Sequence, residues 1–253
     1  MTSTNRLLLV LSIFFALSGT KLLADGTAIS IISTPDNQKI EQAIFVFLSG
    51  NTDTLNMSYP LGFSEKGSFA YIEKTAIPFR PDIRYRMIIV DDMNKPVFQG
   101  CSLYIGSHFH GNAGIGGDSW NDPKFSVESY ISIMGAEIDL ALKKYGINGS
   151  SMKVTTFRKG NTTPPMGTAN IIEQKDYDGL QTDYSYSIQI QKKEGVYKAE
   201  QKERKERLKS ASVIGMIERN TSDSIVAIII EDHKGFEDED FVSVKYVFCK
   251  KSG

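Results

Sequence analysis

Apolar residues along this chain come in short runs separated by polar and glycine-containing turns. Segments 28–32, 43–48, 69–72, 86–90, 97–104, 184–191, 213–217, 225–230 and 242–248 are brief and rich in β-branched or aromatic side chains, which predicts strands. Tyr184-Ser-Tyr-Ser-Ile-Gln-Ile-Gln191 alternates apolar with polar at every step, the mark of a strand with one face buried and one wet. Segment 242–248 begins in the same way and then becomes continuously apolar, as a more central strand does. Between strands, Ser64-Glu-Lys-Gly67 suits a tight turn with glycine in the left-handed region, and Asn220-Thr-Ser-Asp223 offers side-chain bonds to the backbone.

One segment changes period. Over 126–145, Val127, Tyr130, Ile131, Met134, Ile138, Ala141, Leu142 and Tyr145 recur every three or four residues. Ser126 stands at the N-cap, Glu128 in the first turn, Lys143 and Lys144 in the last turn, and Gly146 at the stop. This is an amphipathic helix whose apolar stripe is expected to pack on the sheet. The expected fold is therefore a β-rich α+β protein, mostly antiparallel, with that one helix on the sheet. Two further segments complete the expectation. Residues 198–209 (KAEQKERKERLK) combine high helix propensity with opposite charges three or four apart and read as a solvated helix or connector. Residues 148–170, rich in Gly, Ser, Thr and Pro, read as a long surface loop.

The N-terminus follows another logic. Arg6 precedes an almost unbroken apolar run, LLLVLSIFFAL, at 7–17. As a helix this run spans roughly 16 Å, too short for a hydrocarbon core of about 30 Å, so it reads as a secretory signal peptide. Small residues suit cleavage after Ser18 or after Ala24, and 1–24 is assigned to the signal peptide. The remaining 25–253 form a single β-rich domain, with no transmembrane segment left after cleavage. In an oxidising compartment the only two cysteines, Cys101 and Cys249, invite a disulfide; two free thiols packed as small apolar groups are the alternative.

Composition narrows the function classes. With 29 basic against 30 acidic residues the chain offers no field for a phosphate backbone, which argues against nucleic-acid binding. The most unusual segment is 106–120, with His108, His110, the only tryptophan (Trp120) and five glycines. On an extended backbone His108 and His110 share a face, and with Asp118 or Asp122 could hold a divalent metal. No third histidine lies nearby and no His-Glu-x-x-His helix exists, so a flexible glycine loop is the preferred reading and no cofactor is expected. The phosphate-loop and dinucleotide fingerprints and the Gly-x-Ser-x-Gly elbow are also absent from the chain.

Leu61-Gly-Phe-Ser-Glu-Lys-Gly-Ser-Phe-Ala-Tyr71, followed by a strand ending at Asp92, resembles one blade edge of a β-propeller. With Ile225-Val-Ala-Ile-Ile-Ile230 and Gly235-Phe-Glu237, the chain resembles a family of secreted bacterial proteins of uncharacterised function. That resemblance covers about a quarter of the chain and transfers no catalytic residue. The sequence thus points to a secreted or periplasmic, non-enzymatic binding protein associated with the envelope, its ligand or protein partner unspecified. Two alternatives stand beside it: a metal-assisted hydrolase using His108 and His110, and a structural component of an envelope assembly.

Overall fold

The computed structural model describes residues 34–48, 55–77, 82–105, 126–149, 152–157, 167–176, 182–205, 207–219, 224–234 and 240–252. The signal-peptide segment 1–24, the turn 220–223 and the whole of 106–120, with His108, His110, Asp118 and Trp120, lie outside them. Helix α1 (Pro35–Phe47) begins where the Thr34 hydroxyl accepts from Asn37 N at 3.5 Å, with proline in its first turn. It buries Ile40 and Ile44. The expected strand at 43–48 is therefore corrected to the last part of this helix: a short apolar run carries no period of its own, and Thr34-Pro35-Asp36 is the helix start that decides it.

Strands β1 (Leu55–Asn56), β2 (Ser58–Ser64), β3 (Phe69–Ile77), β4 (Asp82–Val90) and β5 (Pro96–Ile105) follow. Gly67 takes the left-handed conformation expected of it (φ 94°) and its N–H donates to Ser64 O at 3.0 Å. Gly62 marks a bulge against β3; at φ 136°, a Cβ there would lie 2.4 Å from Asn148 O, so only glycine fits. Helix α2 (Val127–Tyr145) matches the sequence expectation: the Ser126 hydroxyl accepts from Ser129 N at 3.2 Å, and Gly146 closes the helix at φ 65°. Then come β6 (Ile147–Asn148), β7 (Met152–Thr156), β8 (Gly167–Asp176), β9 (Thr182–Lys192), β10 (Gly195–Lys205), β11 (Arg207–Arg219), β12 (Ser224–Lys234) and β13 (Asp240–Lys251).

Two expectations give way here. Residues 148–170, expected as one long loop, carry β7 and the start of β8. Of residues 198–209, expected as a helix or connector, 198–205 belong to β10 and 207–209 to β11, and β10 pairs with β9 along its whole length. The period is two: Lys198, Glu200 and Lys202 are exposed while Ala199, Gln201 and Glu203 are half-buried. Because charged residues stand on both faces, the alternation of hydrophobicity that announces a strand is missing, and cross-strand pairing overrides helix propensity.

The strands form two sheets. A five-stranded sheet runs β5-β4-β3-β2-β6, and a larger one runs β7-β11-β12-β13-β10-β9-β8, with β1 added in parallel to β13. Helix α2 lies on one face of the smaller sheet, burying Val127, Tyr130, Ile131, Ile138 and Leu142 against Leu61, Ile72, Tyr85, Met87 and Ile89. Tyr130 stacks on Tyr85 at 4.9 Å, and its hydroxyl donates to Cys101 O at 2.6 Å. The other face of that sheet packs, through Phe63, Phe69, Ile88 and Val90, on the outer face of the larger sheet at Ile217, Ile228, Val244, Tyr246 and Phe248. The larger sheet curls until β8 lies alongside β11. There Gly167 meets Val213, and the Gln174 amide, turned with its nitrogen to Leu208 O at 3.1 Å, faces Arg207 Nε with its oxygen. The curl encloses a further core of Tyr186, Ile188, Ile190, Tyr197, Met216, Ala227, Ile229, Val247 and Cys249. The protein is thus a β-rich α+β fold of antiparallel sheets, with β1 the parallel exception. No helix among the described residues is long and apolar enough to cross a membrane.

Candidate functional site

The inward parity of the curled sheet places polar side chains at one end of its core. On β12 the inward series Ile225, Ala227, Ile229 continues as Glu231 and His233; on β13 Val247 and Cys249 are preceded by Lys245 and Ser243. Register brings them together. Glu231 stands opposite Ser243, and His233 stands opposite Phe241, on which its ring stacks at 4.8 Å. From β9, Tyr186 crosses the interior and donates to Glu231 Oε1 at 2.8 Å. Ser243 Oγ donates to Glu231 Oε2 at 3.1 Å, and His233 Nε2 lies 3.1 Å from the same oxygen. Both Glu231 and His233 are completely buried.

A Ser-His-Glu trio in contact invites comparison with a nucleophilic triad, and the wiring differs in the decisive respect. A triad places the carboxylate on one imidazole nitrogen and the serine on the other, so that the second nitrogen can take the serine proton. Here Glu231 Oε2 and Ser243 Oγ (3.3 Å) face the same Nε2. An Nε2 that faces a carboxylate carries the proton and has no lone pair for a serine hydroxyl, whose own proton is directed to Glu231. The arrangement fixes side chains and does not activate a nucleophile.

The electrostatics agree. Burial pushes the Glu231 carboxyl up, but the hydrogen bond from His233, the Lys245 ammonium 4.0 Å away and the Tyr186 hydroxyl outweigh it and hold it below the ordinary carboxylate range. Burial, and then the adjacent Glu231 charge, push the Tyr186 phenol up, so it remains a donor. Nearer the surface, Lys245 Nζ meets both Glu203 oxygens at 2.6 and 2.8 Å, with the two side chains 18 % and 15 % exposed. Gln201 Nε2 donates to Glu203 Oε1 at 2.8 Å, and Tyr184 OH reaches its Oε2 at 3.5 Å.

This pair bridges a seam. The β10–β13 ladder has only two registered pairs, Tyr197–Lys251 and Lys198–Lys250, after which the strands part. Further along, the edge of β13 is covered by β1 and by side chains from the smaller sheet. Asn94, in the β4–β5 turn, accepts from Phe248 N at 2.7 Å and donates to Phe248 O at 3.3 Å, while Ser58 Oγ donates to Val244 O at 3.0 Å. Asn94 holds this position at φ 62°, a conformation asparagine tolerates well.

None of these site residues was singled out in the sequence. Continuous apolar character over 225–230 conceals which residues point inward, because both faces of β12 are buried; carrying the parity past Ile229 would have reached Glu231 and His233. The sequence-level metal candidates His108, His110 and Asp118 fall outside the described residues. Among the described residues, no group of three or more His, Cys, Asp or Glu side chains is placed to hold a metal ion. The expected disulfide is not made: both thiols are free, Cys101 against α2 and Cys249 inside the curled sheet, in separate cores. Burial pushes the Cys101 thiol up to about 11 and the Cys249 thiol up to about 12. Comparison with protein families, with curated proteins and with solved structures finds no match for this chain.

Proposed function

We propose that this chain is exported to the periplasm or beyond the cell and acts there as a non-enzymatic, envelope-associated binding protein, with the β10–β13 seam as its binding surface. The observation that carries this reading is the seam itself. Two strands of a curled sheet part after two registered pairs, and the partly exposed pair Lys245–Glu203 stands over buried Glu231. A polar, hydrogen-bonded end on an otherwise apolar sheet interior is a common form of small-ligand site. The wiring of Glu231, His233 and Ser243 through one nitrogen favours binding over acyl transfer at the same place. Export rests on the apolar run behind Arg6.

The test has two arms. Intact-mass analysis of the chain recovered from the periplasm or medium is expected to give a species beginning at Gly19 or Asp25; full-length protein held in the membrane would refute export. Metal analysis of the purified protein is expected to find no stoichiometric divalent ion. A stoichiometric ion, lost on His108→Ala with His110→Ala, would replace the binding reading with the metal-assisted hydrolase.

A further inference from the structure

Among the described residues the two sheets end on four strands, and these ends are not alike. In the larger sheet β7 carries Lys153 and β8 carries Glu173, Lys175 and Asp176, while in the smaller sheet β6 is two residues long. Charge and short length are the usual means by which an edge avoids pairing with another chain. Strand β5 has neither. It runs for ten residues, PVFQGCSLYI, without Asp, Glu, Lys or Arg, and among the described strands it pairs with β4 alone. Large apolar side chains stand out along it, Val97 exposed at 44 % and Tyr104 at 58 %.

The polarity of this strand reads the same from either end. About a centre between Gly100 and Cys101, exposed Gln99 answers exposed Ser102, half-buried Phe98 answers half-buried Leu103, and exposed Val97 answers exposed Tyr104. An antiparallel pairing of two copies about a two-fold axis sets such positions opposite each other. We infer that β5 is the interface between two copies of this chain, joined edge to edge so that their smaller sheets become one. With no charge on the strand, self-pairing sets no like charges opposite one another. Cys101 (φ 51°) and Ser102 form a bulge at the centre, and the Tyr130 hydroxyl already holds Cys101 O, so the ladder between copies is made on either side of the axis. A standard interface takes about 800 Å² from each partner, more than a bare ladder supplies. The rest comes from α2. Tyr130 marks the flank of that helix nearest β5; Ile133, one turn on, and Leu140, two turns further, share the flank and are exposed at 64 % and 68 %. The two-fold brings this flank toward its copy above the joined sheets.

The test uses the chain recovered from the periplasm or medium. Sedimentation equilibrium is expected to give a reversible dimer that dissociates on the order of micromolar or below. Val97→Lys with Tyr104→Lys sets ammonium against ammonium at two places in the interface, whereas Val97→Lys with Tyr104→Glu sets opposite charges there; the second variant is expected to associate about tenfold more tightly than the first. Ile172→Lys, at an exposed position on the β8 edge, is expected to leave the dimer unchanged. In the wild type, the 97–104 amides are expected to exchange with solvent more slowly in the dimer than after dilution. A monomer at about 100 µM overturns the inference, as do a dimer that Val97→Lys with Tyr104→Lys leaves intact, a dimer that Ile172→Lys dissociates, and 97–104 amides whose exchange ignores dilution. Equal affinity of the two charged variants overturns the register. All the substituted side chains are exposed, so the variants are expected to fold; if a charged variant does not, sedimentation and exchange of the wild type decide.

Discussion

Replacing Glu231 tests whether the buried network is held by its charge. The carboxylate, itself fully buried, accepts from Tyr186 and Ser243, faces His233 Nε2 at 3.1 Å, and compensates the partly exposed Lys245 at 4.0 Å. Hydrogen bonds to a charged group contribute about 1.5–3 kcal/mol each, but a shared acceptor makes them non-additive. Breaking a buried pair by removing one partner costs about 3–5 kcal/mol. Glu231→Gln keeps the volume and one acceptor oxygen, so a loss of about 3 kcal/mol is expected at pH 7, or roughly 6–12 °C in Tm for a domain of this size. Glu231→Leu, which leaves every donor facing carbon, is expected to lose more.

The pH dependence has a definite sign. The folded carboxyl titrates below its ordinary value, so between the two the folded state binds fewer protons than the unfolded chain. Its contribution is complete above the unfolded value of about 4.3 and is lost as pH falls through the folded one. Urea unfolding of wild type and Glu231→Gln, repeated from pH 7 down to pH 3, should therefore show a stability gap that is constant above about pH 5 and narrows below it. A gap under about 1 kcal/mol at pH 7, within the range of an ordinary surface change, would refute the account, and so would a gap of unchanged size throughout the acid limb.

Two other outcomes follow from the structure. Asn94→Gly retains the positive φ and removes both bonds to the Phe248 backbone, so denaturant unfolding should show a loss of about 2 kcal/mol. Asn94→Ala should lose about 1 kcal/mol more, for the left-handed backbone, and equal stability of the two variants would contradict that assignment. Thiol titration of the unfolded protein should find both cysteines free, and in the folded state both should react slowly because burial raises them. Recovery of a Cys101–Cys249 linked peptide would overturn the separation of the two cores.

Local signals in the sequence determined the elements whose physics is local. Helix α2 is written completely in Ser126, its three-and-four spacing, Lys143, Lys144 and Gly146, and Gly67 announces its own turn. The strands at 69–72, 86–90, 184–191, 225–230 and 242–248 were equally legible, because each has a buried face that β-branched or aromatic residues must fill. Where charge stands on both faces, as in 198–205, the pattern is silent, and only the register with β9 makes a strand. The candidate site belongs to the tertiary structure alone. Tyr186, Glu203, Glu231, Ser243 and Lys245 come from four strands, and nothing in their spacing along the chain encodes the curl that carries β9 across to β12 or the parting of β10 from β13. Those depend on how the described sheets and helices fill one another's faces, a balance of contacts distant in sequence. The same balance put Cys101 and Cys249 in different cores, where no count of cysteines could have placed them.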